Sequence, residues 1–235
     1  MAEDHDYGLD GFQTALRDGT MVRLRPVMAA DRGRIAAGVT QLSPNSRYMR
    51  FFTAQPQLAE DQLNRLSDID HHNHIAWIAV DPTLPEEPGL GIGRFVHEEN
   101  DLTKAEFALT VVDAHQGRGL GSVLLATLYC AAREQGVRML RAVVMPDNRN
   151  LIQWFLKLGG SVAYGKGVCL VGMTIETHLL EASKNPSAER FKNLVAEIWP
   201  HFNPARAISV YRRNRDRAKN AKCGEARESL PMGRD

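Results

Sequence analysis

The chain has 235 residues, of which 43% are apolar and 24% are charged, and its formal net charge is +1. This composition is typical of a folded domain with one substantial core, and it excludes a disordered or collagen-like chain. No apolar run reaches the roughly eighteen residues that a membrane-spanning helix needs. The acidic N-terminus, MAEDHDYGLDG, is unlike a secretion signal. We therefore expect a cytoplasmic protein that does not associate with membranes.

The cysteine pattern points to the same compartment. Cys130, Cys169 and Cys223 are far apart in the chain, and no C-x-x-C pair occurs. Neither a disulfide framework nor a cysteine zinc site is indicated, and a reducing cytoplasm fits this pattern.

The first half of the chain predicts alternating helices and strands. We expect a strand over 22–24, a helix over 29–42 that begins near Asp31, and a second helix over 58–66. The compact apolar run 75–80 has the length and flanks of a buried strand. Segments 91–97 and 106–112 are expected to pair as a hairpin.

The second half continues the alternation. We expect helices over 122–135 and 150–158, with a strand at 139–144 between them. Two further strands are predicted at 162–164 and 168–175. Strands followed by helices, mixed with hairpins, predict an α/β fold of mixed layers. Beyond this core, 187–199 has the spacing of an amphipathic helix.

The C-terminal segment 201–235 is basic. It carries nine Lys and Arg against four Asp and Glu, a net of +5, which leaves −4 for the first 200 residues. Such a segment can serve as an arm for nucleic acid or an acidic partner. The basic run is short and holds one aromatic residue, so we favour a solvated terminal extension.

A glycine turn is the most informative feature of the sequence. Ala105 to Ser122 reads AEFALTVVDAHQGRGLGS, so a strand-like run leads into Q-G-R-G-L-G and then into a helix. Glycines allow several backbone N–H groups to point at one anion at a helix N-terminus, where a pyrophosphate would fit. The pattern lacks the Lys of a P-loop and the third glycine of a dinucleotide fingerprint. By spacing alone, an ordinary loop before a helix stays an equal alternative.

This turn resembles the acyl-CoA signature of the GNAT superfamily of N-acetyltransferases. Asn148, followed by Trp154, Phe155 and Lys157-Leu158-Gly159, is similar to the second CoA-side segment of that family. Upstream, Leu24-Arg25-Pro26, the run 42–52 (LSPNSRYMRFF), Asp70-His71 and His74-Ile75-Ala76 resemble the Pat-type bacterial protein lysine acetyltransferases.

The resemblance covers about residues 20–180 and implies a GNAT domain there, with an N-terminal segment 1–19 and a helical and basic extension 181–235. It implies a twisted, mixed and mostly antiparallel sheet flanked by helices. In that fold the two middle strands separate, and the pantetheine arm lies between them.

The resemblance also implies roles for individual residues, with acetyl-CoA as the acyl donor. Glu106 matches the catalytic glutamate, and a carboxylate partly desolvated in an apolar strand suits a general base. A backbone donor to the thioester oxygen is expected near Val111 and Val112. The cofactor-binding set is Val111, Val112, Gln116, Gly117, Arg118, Gly119, Leu120, Gly121, Ser122 and Asn148.

Other chemistries are less favoured. Many family members place a tyrosine acid where this chain has Phe155, so we expect water to protonate the departing thiolate. Cys130 and Cys169 sit in apolar stretches and are expected to be core residues, not acyl carriers. Asp70 and the nearby histidines are interpreted as structural, and we expect no metal. Phe51 and Phe52 are expected to pack in the core, with Arg47, Tyr48 and Arg50 near the acceptor.

Three functions remain open at this stage. The first is acetylation of lysine side chains in proteins, with Glu106 as the base. The second is acetylation of a small amine such as a polyamine or an antibiotic, although no carboxylate cluster stands out to bind one. The third is a non-catalytic acyl-CoA-binding regulator whose basic tail contacts nucleic acid. A regulator needs no base, so Glu106 favours an enzyme.

Overall fold

In the computed structural model, residues 11–53, 55–165, 167–175 and 185–202 are described. Eight strands form one sheet: β1 Phe12–Ala15, β2 Met21–Pro26, β3 His74–Val80, β4 Gly89–Glu98, β5 Asp101–Val111, β6 Met139–Val144, β7 Ser161–Gly165 and β8 Val168–Thr174. The helices of the described residues are α1 Arg32–Thr40, α2 Pro44–Phe51, α3 Glu60–Ser67, α4 Leu120–Glu134, α5 Arg149–Lys157 and α6 Pro186–Ile198.

The sheet is antiparallel except at its centre. Its order is β1-β2-β3-β4-β5-β6-β8-β7, and only β5 and β6 run parallel. These two strands pair at three positions, from Lys104 with Met139 to Glu106 with Arg141. Beyond Glu106, β5 continues for five residues without a β6 partner, so a gap opens between them. The predicted mixed, mostly antiparallel α/β sheet is confirmed.

One face of the sheet packs against α4 and carries the main core. Gly91, Gly93 and Phe95 of β4 point to this face, where a Cβ on Gly93 would lie 3.2 Å from Leu128 of α4. Phe95 and Leu128 are both fully buried. Helix α6 packs on the outer side of α4. We call this surface of the sheet the α4 face.

The opposite face packs against α1, α2 and α3 and holds a smaller core. Alternation along β3 and β4 sends Ala76, Ile78 and Ile92 to this side, where they pack with Ile35 of α1 and Leu63 of α3. Because both faces of β3 are covered, its residues 75–80 are all apolar, as the sequence predicted. We call this surface the α1–α3 face.

Two elements were not predicted. Strand β1 pairs with β2 at the edge of the sheet, and its four residues are too few for a clear pattern. Helix α2 begins with Ser43, whose Oγ accepts a hydrogen bond from the Ser46 amide at 3.1 Å, and has Pro44 in its first turn. That start signal is present in the sequence, but the segment was interpreted as the end of the preceding helix.

The predicted helix 29–42 is in fact a short 3₁₀ turn, Ala29–Asp31, followed by α1. Asp31 does not cap α1 with its side chain. Its buried carboxylate accepts two hydrogen bonds of 2.7 Å from Arg25 and one of 2.9 Å from the Met28 amide. No helix among the described residues is both long enough and apolar enough to cross a membrane.

Candidate active site

The glycine turn forms an open anion cradle at the start of α4. Gly117 has a φ of 74° and Gly119 a φ of 100°, in the left-handed region that other residues rarely adopt. Ser122 and Val123 donate their amides to the Gly119 carbonyl, which begins the helix. The amides of Leu120 and Gly121 donate to no backbone carbonyl among the described residues. They are the free first-turn donors that an anion needs at a helix N-terminus.

Side chains of the turn hold its shape. Gln116 donates from Nε2 to the Val111 carbonyl at 3.1 Å and to Asp113 at 3.0 Å. Leu120 is 1% exposed and anchors the helix in the main core. Ser122 is partly buried in the first helical turn. Leu120 can therefore face a ligand only with its main chain.

The turn between β1 and β2 lies directly against this cradle. Arg118 donates to Asp18 at 2.5 Å and to Thr20, and the Arg118 hydrogen bond is the main reason that the pKa of Asp18 falls to about 2. Arg17 donates to the Gly117 carbonyl at 3.0 Å, and its side chain lies beside Gly119. Arg17 was not identified from the sequence, because it precedes the glycine turn by a hundred residues.

Backbone donors also face the gap between β5 and β6. The Val112 amide donates to the Leu90 carbonyl at 3.0 Å, so it is not available to a thioester oxygen, and its assignment as a donor needs correction. In an antiparallel ladder the amides alternate in direction. Because Val112 points toward β4, Val111 and Leu109 point toward β6, where β5 has no partner. Val111 thus keeps its predicted place, and Leu109 joins it.

Glu106 lies where this gap opens. It is the last residue of β5 that pairs with β6, and it pairs with Val96 of β4 on the other side. Its side chain is exposed on the α1–α3 face. The expected partial desolvation of this carboxylate is therefore wrong in this structure, whereas its place in the strand before the glycine turn is as predicted.

Three arginines line a pocket on the same face: Arg34, which is paired with Asp31, the partly buried Arg50 and the buried Arg94. Arg50 of α2 donates from Nε to Thr110 Oγ1 at 3.0 Å, and Arg94 of β4 donates to the Leu66 carbonyl at 3.1 Å. Burial lowers the pKa of Arg50 to about 10, an effect that the charge of Glu106 opposes. Burial, together with the charge of Arg50, lowers the pKa of Arg94 to about 9. The pocket has an empty volume of about 460 Å³, its open mouth included.

The other side chains of the run 43–52 are partly buried in the fold and partly exposed at the surface. Arg47 is buried and donates to the Leu42 carbonyl, whereas Tyr48 is exposed. Phe51 lines the pocket. Phe52 is 51% exposed, so the expectation that it packs in the core is wrong.

Asn148 and Phe155 hold α5 in place within the segment that resembles the second CoA-side segment of the family. Asn148 caps α5, with Oδ1 accepting from the Leu151 amide at 3.3 Å. Phe155 is fully buried and stacks at a tilt on Phe107, with ring centroids 5.4 Å apart. A Cβ on Gly160 would lie 3.0 Å from the carbonyls of Phe155 and Gly172, so a side chain at this position would force the backbone to shift.

The cysteines and histidines have structural surroundings. Cys130 is buried, and burial raises the pKa of its thiol to about 12, which argues against an acyl carrier. Cys169 is also buried. Asp70 accepts the amides of His72, Asn73 and His74 and so closes the turn before β3. Within the described ranges no three His, Cys, Asp or Glu side chains are grouped to hold a metal.

A family model described as an acetyltransferase (GNAT) domain matches residues 22–161, which is more than half of the chain. The chain belongs to the GNAT acetyltransferase family. Among solved structures, the chain is similar to the GNAT domain of S. lividans PAT. It is 29% identical, with a TM-score of 0.64, and the match covers 69% of this chain and 96% of that one.

Two GNAT relatives share about a third of their aligned residues with this chain. Acetyltransferase Pat of Mycolicibacterium smegmatis is 33% identical over 144 residues, which are 61% of this chain and 42% of Pat. The chain thus spans less than half the length of that relative. Acetyltransferase PA5475 of Pseudomonas aeruginosa is 32% identical over 152 residues, which are 64% of this chain and 80% of that protein.

A more distant GNAT structure, YncA of Salmonella typhimurium with its cofactor acetyl-CoA, is 18% identical with a TM-score of 0.51. The match covers 66% of this chain and 94% of YncA, and at this identity it supports the fold alone. Together the comparisons confirm the predicted GNAT family, the Pat-type resemblance and the acetyltransferase class.

Proposed function

We propose that the protein transfers an acetyl group from acetyl-CoA to a lysine side chain of a protein, with Glu106 as the general base. The observation that carries this proposal is the placement of Glu106 at the point where β5 and β6 separate. The acyl group and the base would meet there, on the side of the sheet that also holds the arginine pocket.

The glycine turn fits the diphosphate of coenzyme A. Free amides of Leu120 and Gly121 and the positive end of α4 favour an anion at this point. Gly117 has no atom within 4 Å of where a Cβ would be, which leaves room for a ligand beside the main chain. Because the Arg118 side chain is tied to Asp18, we assign its contact to the main chain and give the cationic role to Arg17.

The amides of Val111 and Leu109 suit the middle of the donor. They face the open gap, as a pantetheine arm or a thioester oxygen requires. A backbone donor held rigidly by the β4 ladder stabilises the charge that develops on the carbonyl oxygen during attack. Asn148 stands at the start of α5 beyond the gap, and we keep it as a contact for the CoA side.

The acceptor amine must lose a proton before it attacks, because a lysine ammonium has an ordinary pKa of about 10.4. Glu106 accepts this proton, directly or through one water molecule. The amine nitrogen then forms the bond to the acetyl carbon, the C–S bond breaks, and the thiolate leaves. Because Phe155 is buried and has no proton to give, water protonates that thiolate.

A protein acceptor is favoured by the exposed surface around the base. Val143 and Leu170 are cross-strand neighbours on β6 and β8, and both are exposed on the face that holds Glu106. An open sheet surface beside the base suits an extended segment of a protein.

We also retain the predictions of a cytoplasmic protein and of a domain over 20–180. The basic segment proposed for nucleic acid lies almost wholly outside the described residues.

The test is Glu106→Gln, which keeps the shape of the side chain and removes the base. With acetyl-CoA and a lysine-containing protein, we expect the rate of acetyl transfer to fall about 10²- to 10⁴-fold. The affinity for acetyl-CoA should stay unchanged in a calorimetric titration. Glu99→Gln is the matched control, since Glu99 is an exposed glutamate in the turn of the same hairpin. Equal rates for Glu106→Gln and wild type would remove Glu106 from the mechanism.

A further inference from the structure

The pocket on the α1–α3 face contains two cationic groups, Arg50 and Arg94, and the charge of Glu106 acts on Arg50 only through space. Among the described residues, neither Arg50 nor Arg94 forms an ion pair within 4.0 Å. The buried Arg25, in contrast, has a bidentate pair with Asp31. A buried charge without a counter-charge is costly, so its retention calls for an explanation.

Both guanidinium groups also keep unused donors. Arg94 is 6% exposed, and its Nε is buried without a hydrogen-bond partner in the described part of the chain. Its two terminal nitrogens contact the Leu66 carbonyl and the ring of His74. Among the described residues, Arg50 donates a hydrogen bond only from Nε, to Thr110. A guanidinium presents a planar set of donors that matches a carboxylate well.

The surroundings of the arginines fit an anion and not another cation. His74 lies next to Arg94, and burial together with the Arg94 charge lowers the pKa of its imidazole to about 4. It is therefore neutral at pH 7 and adds no repulsion. The rest of the lining is mainly apolar, including Ile35, Ile78 and Phe51, so an ion pair formed there would be shielded from water.

The spacing along β5 relates this pocket to the proposed base. Arg94 is opposite Ala108 in the register, and Arg50 bonds to Thr110. Residues 106, 108 and 110 share one face of the strand, because side chains alternate. The β5 positions next to Arg94 and Arg50, which are 108 and 110, thus lie about 7 and 14 Å from position 106 along the strand, at the rise of a strand. That is the separation between the ends of an extended amino acid or between side chains of nearby residues.

We propose that Arg50 and Arg94 bind a carboxylate of the acceptor while its amine reaches Glu106. This inference rests on the proposed function, because it assigns the acceptor to the side of Glu106. The carboxylate can come from an Asp or Glu close to the target lysine in a protein, or from the α-carboxylate of a free amino acid. In both cases the enzyme selects an acidic group next to the amine that it acetylates.

Calorimetry with two matched ligand pairs tests this proposal without requiring turnover. The first pair is Nα-acetyl-lysine and Nα-acetyl-lysinamide, which differ only in the carboxylate. The second pair is a short lysine peptide with Asp or Asn two residues after the lysine. For wild type we expect the acidic member of at least one pair to bind about ten- to a hundredfold more tightly, as for a charge-assisted hydrogen bond.

Substitutions of Arg50 and Arg94 then test whether the pocket causes the preference for the acidic ligand. In Arg50→Gln the preference for the acidic ligand should fall to about twofold or less, which is no more than one weak hydrogen bond contributes. Arg65→Gln, on the exposed face of α3, should keep it. Arg94→Lys retains a charge if Arg94→Gln does not fold, and it should keep part of the preference. A preference confined to the first pair identifies a free amino acid, and one confined to the second identifies an acidic protein segment.

Equal affinity of wild type for both members of both pairs would overturn the inference, whatever the rate of acetyl transfer. An unchanged preference in Arg50→Gln and Arg94→Lys would do the same. The proposed function fails separately: a protein that prefers the acidic ligands but transfers no acetyl group retains the anion site and loses the assigned reaction.

Discussion

The two faces of the sheet differ in what they bury. On the α4 face, fully buried apolar side chains such as Phe95, Leu124 and Leu128 pack together in the main core. On the α1–α3 face, a smaller apolar cluster lies beside a pocket that contains Arg50 and Arg94, and Glu106 stands exposed nearby. The first face fixes the start of α4 and thus the glycine turn. The second face has a smaller apolar core, and it holds charged groups and a pocket where we propose that the acceptor binds.

The largest expected effect tests the packing of the two faces. Leu124→Ala should lower the free energy of unfolding by about 4 kcal/mol, because it leaves a cavity in a fully buried site. Ile35→Ala should cost only about 2 kcal/mol, since Ile35 already borders the pocket. Denaturant unfolding of both variants measures the difference. Equal losses would mean that the two cores are packed equally well.

A glycine on the α4 face provides the second test. A Cβ at Gly91 would lie 2.9 Å from the Thr110 carbonyl and 3.0 Å from Leu124, so Gly91→Ala should destabilise by about 2 kcal/mol. Gly33 in α1 has no atom within 4 Å of that position. Gly33→Ala should therefore stabilise by about 0.5 kcal/mol through helix propensity. Thermal unfolding should move the two midpoints in opposite directions, and a shared direction would contradict the packing described above.

The α1–α3 face should weaken in acid before the α4 face does. Burial, with the Arg94 charge, lowers the pKa of His74 from 6.5 to about 4, and burial also lowers the pKa of His71. Between these values the unfolded chain binds the proton more readily, so stability is full above pH 6.5 and falls as the pH approaches 4.

After allowance for solvent screening of the partly exposed ring, His74 accounts for about 1 to 2 kcal/mol of this loss. Unfolding in urea at several pH values measures the slope. His74→Gln should flatten it, and exposed His72→Gln should leave it as in wild type. A slope that survives His74→Gln would assign the acid sensitivity to other groups.

The smallest expected effect concerns the glycine turn. Arg17→Gln should raise the dissociation constant of acetyl-CoA about three- to tenfold, because it removes an exposed cation next to Gly117. The effect should shrink in high salt, as screening of an exposed charge requires. Arg65→Gln, distant on α3, is the control. Unchanged affinity at low salt would show that the main chain alone supplies the anion site.

The sequence predicted the local parts of this protein well, since their signals lie within a few residues. The turn Gln116 to Gly121, the helix that follows it and the strand Met139–Val144 all depend on short-range glycine and apolar patterns. The family resemblance then supplied what spacing could not, the GNAT fold and the identity of Glu106 as a candidate base.

Errors arose where a side chain's surroundings come from distant segments. Glu106 sits in an apolar run yet its side chain is exposed. Val112 was assigned as a donor, but its amide pairs with Leu90 of β4. Local patterns cannot reveal which neighbour takes a backbone hydrogen bond.

The sequence by itself therefore determined the family, the alternation of elements and the glycine turn, because backbone freedom and apolar periodicity are properties of short segments. Only the tertiary structure placed Arg17 over Gly117, a hundred residues away, and brought Arg50 and Arg94 to one pocket beside the strand of Glu106. Those contacts depend on strand register and on how α2 packs against β5, and both follow from the burial of the whole sheet.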